Sequence, residues 1–386
     1  MTASTTGISH KMLWRLSLSL LMTLVMIALL KAGRLPNTWS YTHYLFNYDL
    51  GFVKRGLLGA GVHALGWPIL LSYASFATLS VVVMLGCFGL LLMHAITLIR
   101  KDLWLALPVL VFFSSVAPAY LAHTIGYFDH WGLLLTLCVL SVRQPFCQAA
   151  LAMTGSILLI FTHEAFLLTC FPVIFLTLAC SRNHRPWMLL AAYGTLCVLA
   201  AWVASNLIIT QELSALAFKT AQTRTITPLR ADAFVVQSLS REANGLIMQK
   251  LWQTPYRWLE LTNALLVTVP SCAYLVVSWV GRARDKGHLI VVLSIGAVLA
   301  PQLLHVFAWD MERFCVFSLT NAFLLLLVHR KPGRQLPSEA PSSGMLISAV
   351  LLVAINMTSE IKLFDNKTMR AFPYMSDTRR LLEGLN

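Results

Sequence analysis

Four groups of ionisable residues interrupt a chain that is otherwise oily, and each holds residue types that can do chemistry. In the stretch NYDLGFVKRGLLG, residues 47–59, Asp49 offers a base or a cation ligand beside Lys54 and Arg55. Arginine grips a phosphate through two parallel hydrogen bonds, and lysine holds one as a point charge. The glycines at 51, 56 and 59 allow tight turns and close approach of backbone to a ligand. Asp129 with His130 and His163 with Glu164 each set a histidine beside a carboxylate. Such a pair can relay a proton, bond a sugar hydroxyl or ligate a metal. In WDMER, residues 309–313, Arg313 could hold a phosphate while Asp310 orients it or the acceptor, with Glu312 between them and His305 lining the same cavity. Plainer readings stand beside these: lipid-phosphate contacts and a helix cap for the first group, satisfied interfacial residues for the middle two, and an internal ion pair at i, i+3 for Asp310 and Arg313.

The elements that must position these groups are membrane helices. The chain has 386 residues, 58% of them hydrophobic and only 12% charged, with a mean hydropathy of +0.71, which excludes an ordinary soluble domain. A charge at hydrocarbon depth costs on the order of 3 kcal/mol, so four clusters imply a polar site at one membrane face. The net charge of +13 comes from short basic groups between apolar runs, which read as orientation signals and lipid-headgroup contacts, and no nucleic acid is expected. The eight cysteines lie in or beside apolar runs without ligand spacing, and are expected to pack the core.

A span needs roughly 20 apolar residues. Such runs predict an all-α, polytopic transmembrane bundle of about eleven spans (10–12) forming a single integral membrane domain, residues 1–386. The spans fall near 13–32, 69–99, 104–121, 131–142, 148–162, 165–180, 187–209, 261–280, 289–307, 314–328 and 344–357. With the N-terminus cytoplasmic, the inward connections are basic: Arg100 with Lys101, Arg143, Arg182 with Arg185, the group Arg282, Arg284 and Lys286, and then Arg330, Lys331 and Arg334. Of sixteen acidic residues only Asp102, Asp285 and Glu339 then face inward, which sets all four clusters outside. Residues 33–68 form a first extracytoplasmic loop, and 329–343 a cytoplasmic linker rich in proline and serine. Residues 210–260 form a long extracytoplasmic loop whose stretches 211–222 and 231–252 read as amphipathic helices lying along the membrane surface. There is no Walker loop, dinucleotide fingerprint, nucleophile elbow or HExxH, so ATP-driven transport, redox and protease readings lack support.

The acidic residue in the first outward loop (Asp49), the many-span body, the charged outward helix ends and the surface-helical loop together resemble the glycosyltransferase C superfamily. The words YDLGFVKRGLLG, HEAF and WDMERF are similar to bacterial membrane proteins of surface-polysaccharide assembly. In that superfamily the first loop often carries paired acidic residues, whereas Asp49 stands alone.

The resemblance implies a bacterial inner-membrane enzyme that moves a sugar from a polyprenyl-phosphate-linked donor to a glycan or lipid-linked acceptor, with membrane lipids around it and no nucleotide. Asp49, Glu164 and His163 would be its catalytic residues, Asp49 the first choice to deprotonate or orient the acceptor hydroxyl and Glu164 the second. Lys54, Arg55, Asp129, His130, Asp310 and Arg313 would bind substrate. No cofactor is expected, with a divalent metal left open. Two rivals remain. A polysaccharide polymerase or ligase would use the same face, with Arg224, Arg230, Arg241 and Arg257 suited to it. A lipid or glycan transporter would need broken helices at mid-depth, and Pro108 and Pro118 are the breaks the sequence offers.

Overall fold

The computed structural model describes residues 10–64, 72–180, 186–281, 287–306, 308–328, 341–363, 367 and 369. Most of the expected cytoplasmic linker, most of the basic inward residues after 180, and most of the stretch after 363 lie outside these residues. In chain order the helices are α1 (His10–Ala32), α2 (Thr38–His43), α3 (Leu57–Ala64), α4 (Tyr73–Lys101), α5 (Ala106–Ser114), α6 (Val116–His123), α7 (Asp129–Ser141), α8 (Pro145–Thr162), α9 (Phe166–Thr169), α10 (Phe171–Ala179), α11 (Pro186–Asn206), α12 (Gln211–Thr223), α13 (Ala231–Ser238), α14 (Arg241–Trp252), α15 (Pro255–Val280), α16 (His288–Leu299), α17 (Met311–Val328) and α18 (Ser343–Thr358). Among the described residues there is no strand beyond one isolated bridge, Leu363 to Lys367.

Among the described residues seven helices are long and apolar enough to cross a membrane: α1, α4, α8, α11, α15, α16 with its 3₁₀ extension Ala300–Val306, and α17. An eighth span arises if the pair Leu103–Ser114 and Val116–His123, bent by 47°, is counted as one. All eleven expected segments are helical, but 131–142 and 344–357 fold into helices shorter than 18 residues, and 165–180 is split between α9 and α10. Large apolar side chains stand outward around the bundle, Leu266 at 70% exposure and Val292 at 63% among them, as a lipid-facing surface requires. Helix α17 is buried on nearly every side and forms the axis of the bundle. The eight cysteines are free; Cys87, Cys170, Cys197 and Cys315 are buried, while Cys147 is exposed.

Among the described residues one span is broken, the bent pair α5–α6, and two further expected segments are interrupted, at the α9–α10 junction and where α16 passes into its 3₁₀ extension. Each has a proline four residues after a carbonyl it cannot serve: Pro118 leaves Ser114 without its helical donor, Pro172 does so for Leu168, and Pro301 for Ala297. Asparagines on neighbouring helices take carbonyls at all three places. Asn321 on α17 donates to Ala297 O at 2.9 Å and to Thr169 O at 2.8 Å. Asn356 on α18 donates to Val111 O at 3.1 Å and accepts from Ser271 Oγ at 3.1 Å. In an apolar interior each orphaned carbonyl would otherwise cost on the order of several kcal/mol.

At one end of the bundle, the segments after α1 and α11 fold back over the helix ends. Asn37 caps α2 by accepting the Ser40 N–H at 2.9 Å. In the long loop, α12 and α13 pack as a pair joined by Ser214 Oγ donating to Phe234 O at 2.7 Å. The expected helix over 231–252 is two helices, because Ser240 caps a new start by accepting the Ala243 N–H at 3.1 Å.

Candidate functional site

A cavity of about 1190 Å³ opens beneath this cover. Three of the four clusters reach it: Lys54 and Arg55 from the turn before α3, His163 and Glu164 from the end of α8, and Asp310 and Arg313 from the start of α17. Its remaining wall is largely aromatic and aliphatic, with Trp39, Phe128, Met248, Trp252 and Trp309 among the lining residues.

Arg55 and Glu164 form a two-pronged ion pair, Nε to Oε2 at 3.3 Å and Nη2 to Oε1 at 2.9 Å. Arg55 holds a left-handed backbone at φ 61°, the one non-glycine residue so placed among those described, a conformation that costs roughly 1–2 kcal/mol. Glycines flank the manoeuvre. Gly51 sits at φ 118°, and a Cβ at Gly59 would run into the carbonyl of Phe46. Burial alone would raise the Glu164 carboxyl, but the Arg55 guanidinium outweighs it and, with His163, holds the carboxyl well below its ordinary value. His163 accepts the Ala165 N–H on Nδ1 at 3.2 Å, so Nε2 carries its proton. Burial, then the charge of Arg55, keeps this imidazole neutral by pushing its pKa well below the usual value.

Arg313 lies between two carboxylates. Its Nη2 donates to Asp129 Oδ1 and its Nη1 to Asp310 Oδ2, the latter at 3.2 Å, so the local ion pair is present together with a second, distant partner. Asp129 stands behind Arg313 with a side chain only 3% exposed. It does not line the cavity, and its Oδ2 is buried without a partner among the described residues. Burial raises the Asp310 carboxyl against the pull of Arg313.

Asp129, expected to bind substrate, is thus a buried partner of Arg313, and four more residues do not stand where the sequence set them. His130 turns away from the cavity and donates from Nε2 to Leu121 O at 2.9 Å. His305 bonds Gln302 Oε1 at 2.9 Å and does not line the cavity. Glu312 does not line it either. Asp49, grouped by sequence with Lys54 and Arg55, sits in a separate pocket of about 460 Å³, where Oδ2 accepts from Arg224 Nη1 at 3.0 Å and Oδ1 lies 3.3 Å from His63 Nδ1. The chain passes from pocket to cavity between Val53 and Lys54, so Lys54 and Arg55 fall to one side and Asp49 to the other.

The structure adds one residue the sequence did not single out, His43, and gives a structural place to Arg257, which the polymerase or ligase reading names. His43, at the end of α2, lines the cavity while its Nε2 is buried with no hydrogen-bond partner among the described residues. Burial, with Arg55 nearby, keeps it neutral. Arg257, buried at the start of α15, donates to Ala308 O at 2.9 Å and Trp309 O at 3.2 Å and lies 5.0 Å over the Trp252 ring. It clamps the turn that carries Asp310. The recurrence of tryptophan beside charge at 252, 258 and 309 was the available signal.

Among the described residues no group of three or more His, Cys, Asp or Glu side chains could hold a metal ion. Comparison with protein families, with curated proteins and with solved structures returns no match.

Proposed function

We propose that this chain is a membrane glycosyltransferase that moves a sugar from a polyprenyl-phosphate-linked donor to a glycan or lipid-linked acceptor. In this reading it sits in a bacterial inner membrane with the N-terminus cytoplasmic, about eleven segments crossing or entering the bilayer, and the cavity on the extracytoplasmic face under surface helices. The observation that carries it is one cavity in which Lys54, Arg55 and Arg313 converge beside an apolar rim. Val306 and Trp309 on that rim are 59% and 49% exposed, an oily approach suited to a prenyl chain entering from the side.

Arg55 is already held by Glu164 and Arg313 by Asp310 and Asp129, while Lys54 donates to Leu239 O at 3.0 Å, so neither guanidinium waits open for a phosphate. A phosphate must therefore take Arg55 from Glu164. That exchange gives the mechanism its order. Once Arg55 turns to the donor's phosphate, Glu164 loses the charge that depresses it and becomes a base for the acceptor hydroxyl. The acceptor oxygen then bonds to the anomeric carbon as the bond from that carbon to the phosphate oxygen breaks. The proton passes to Glu164, and Arg55 with Arg313 offsets the charge left on the polyprenyl phosphate. General-base help is worth about 10²- to 10⁴-fold, and fixed charges on the leaving phosphate a comparable or larger factor in a partly dry cleft.

The test is transfer by purified protein in lipid nanodiscs, with radiolabelled polyprenyl-phosphate sugars as donors and released polyprenyl phosphate as the readout. Turnover that drops in Arg55→Lys and Arg313→Lys supports the reading; no turnover with monophosphate donors removes it. A second reading, lipid or glycan transport, draws on the interruptions at Pro118, Pro172 and Pro301. Translocation of a labelled lipid-linked glycan across proteoliposomes, without bond cleavage, would favour it.

A further inference from the structure

The pocket that holds Asp49 adjoins the large cavity, sharing Tyr44 with it, and its chemistry differs. We propose that it is a second binding site, for the hydroxyls of a neutral saccharide. Its volume of about 460 Å³ lies in the range of small-ligand sites, roughly 300–1,000 Å³. Its polar groups are mixed donors and acceptors: the Asp49 carboxylate, the Asn47 and Gln237 amides and the Thr220 hydroxyl. The charges inside it cancel, because Asp49 and Arg224 are paired at 3.0 Å. With Arg224 held by Asp49, the pocket offers an anionic head no excess of positive charge.

Gln237 carries the argument furthest. Its residue is 2% exposed, it lines the pocket, and its Oε1 has no hydrogen-bond partner among the described residues. A buried amide carbonyl left unbonded is costly, and a ligand hydroxyl that donates to it recovers that cost. The frame around Gln237 is fixed: its backbone carbonyl accepts the Ile209 N–H at 3.1 Å, and α13 is tied to α12 through Phe234. Phe234 and Tyr44 give the pocket aromatic walls, the usual partners of the C–H faces of a pyranose.

The partition is thin. Tyr44 lines both spaces, and its hydroxyl accepts from Trp131 Nε1 at 2.7 Å, which holds the ring in place. Val53 borders the pocket while the next two residues, Lys54 and Arg55, border the cavity. A glycan whose reacting end lies in the cavity can thus rest a neighbouring sugar in the pocket. That link to the acceptor rests on the transferase reading, whereas saccharide binding itself does not.

Saturation-transfer NMR on the full chain in nanodiscs tests the site directly, with maltose, lactose and chitobiose as neutral probes and glucuronate as the anionic control. At least one disaccharide should show transfer and glucuronate none. Gln237→Leu, which keeps the size and removes the amide, should weaken disaccharide binding about fivefold, the loss expected for one net hydrogen bond. Thr220→Trp, which fills the space, should abolish it. Both variants should keep the wild-type melting midpoint and the wild-type affinity for farnesyl phosphate in the large cavity. No disaccharide signal in the wild type, or signals unchanged in both variants, overturns the proposal. Variant-sensitive disaccharide binding in a protein that transfers no sugar from polyprenyl-phosphate donors keeps the pocket and discards only its link to the acceptor.

Discussion

Arg55 and Glu164 are 109 residues apart in the chain and meet through two hydrogen bonds inside the cavity, at 3.3 and 2.9 Å. The pair joins the first loop to the end of α8, so it is a tertiary strut, and in the proposed mechanism it is also the charge switch. A double-mutant cycle of Arg55→Lys and Glu164→Gln should return a coupling of about 0.5–3 kcal/mol in thermal unfolding, since an ammonium cannot reproduce the planar two-pronged grip. Strictly additive losses would deny the strut.

The two carboxylates on Arg313 should not be equal. Asp129 is 3% exposed in its side chain and Asp310 33%. Removing one member of a buried pair costs roughly 3–5 kcal/mol, against about 0–1 kcal/mol for an exposed one. Asp129→Asn should therefore lower the melting midpoint of the detergent-solubilised protein far more than Asp310→Asn. The reverse order would mean that Asp310 is the structural partner.

Acid should loosen the site through its histidines. Burial depresses His43 and His163 below the usual imidazole value of 6.5. Their contribution to stability is therefore complete above that value and is lost as pH falls below it, where the unfolded chain takes up protons that the folded one refuses. The depressed Glu164 loses its contribution only below the ordinary carboxylate value of 4.5, outside the window from pH 7.5 to 5. The raised Asp310 acts with the opposite sign, favouring the folded state as it protonates. The melting midpoint should drop between pH 7.5 and 5, and His43→Gln with His163→Gln should flatten that slope. An equal slope in the double variant would place the proton uptake elsewhere.

Two glycines of α3 should respond in opposite directions to alanine. At Gly61 a Cβ meets nothing within 4 Å, so Gly61→Ala should stabilise by about 0.5–1 kcal/mol through helix propensity. At Gly59 it would strike the Phe46 carbonyl, a backbone atom. Gly59→Ala should reduce both folded yield and melting midpoint, and the comparison needs only fluorescence-detected size exclusion.

The helices were legible in the sequence because apolar runs announce themselves whatever they pack against, and every expected segment is helical. The interruptions were less so. Pro172 and Pro301 fall where a run still reads as continuous oil, and the asparagine that takes the Ala297 carbonyl lies 24 residues further along. The charged groups were visible, and spacing alone named the local pair of Asp310 and Arg313. Partner choice was hidden by distance: Arg313 finds Asp129 across 184 residues and Asp49 finds Arg224 across 175. Closeness in sequence also misled, because the chain crosses from pocket to cavity between Val53 and Lys54 and so parts Asp49 from the basic pair.

The Val111 carbonyl at the α5–α6 break has a local donor, Ser114 Oγ at 3.1 Å, and takes its second from Asn356 on α18, 245 residues later. At roughly 5–20 residues per second of synthesis, that second donor arrives about 10–50 s after α5 has been made. For that interval the serine hydroxyl alone serves the carbonyl, and the order of synthesis makes the bond between α5 and α18 a late one.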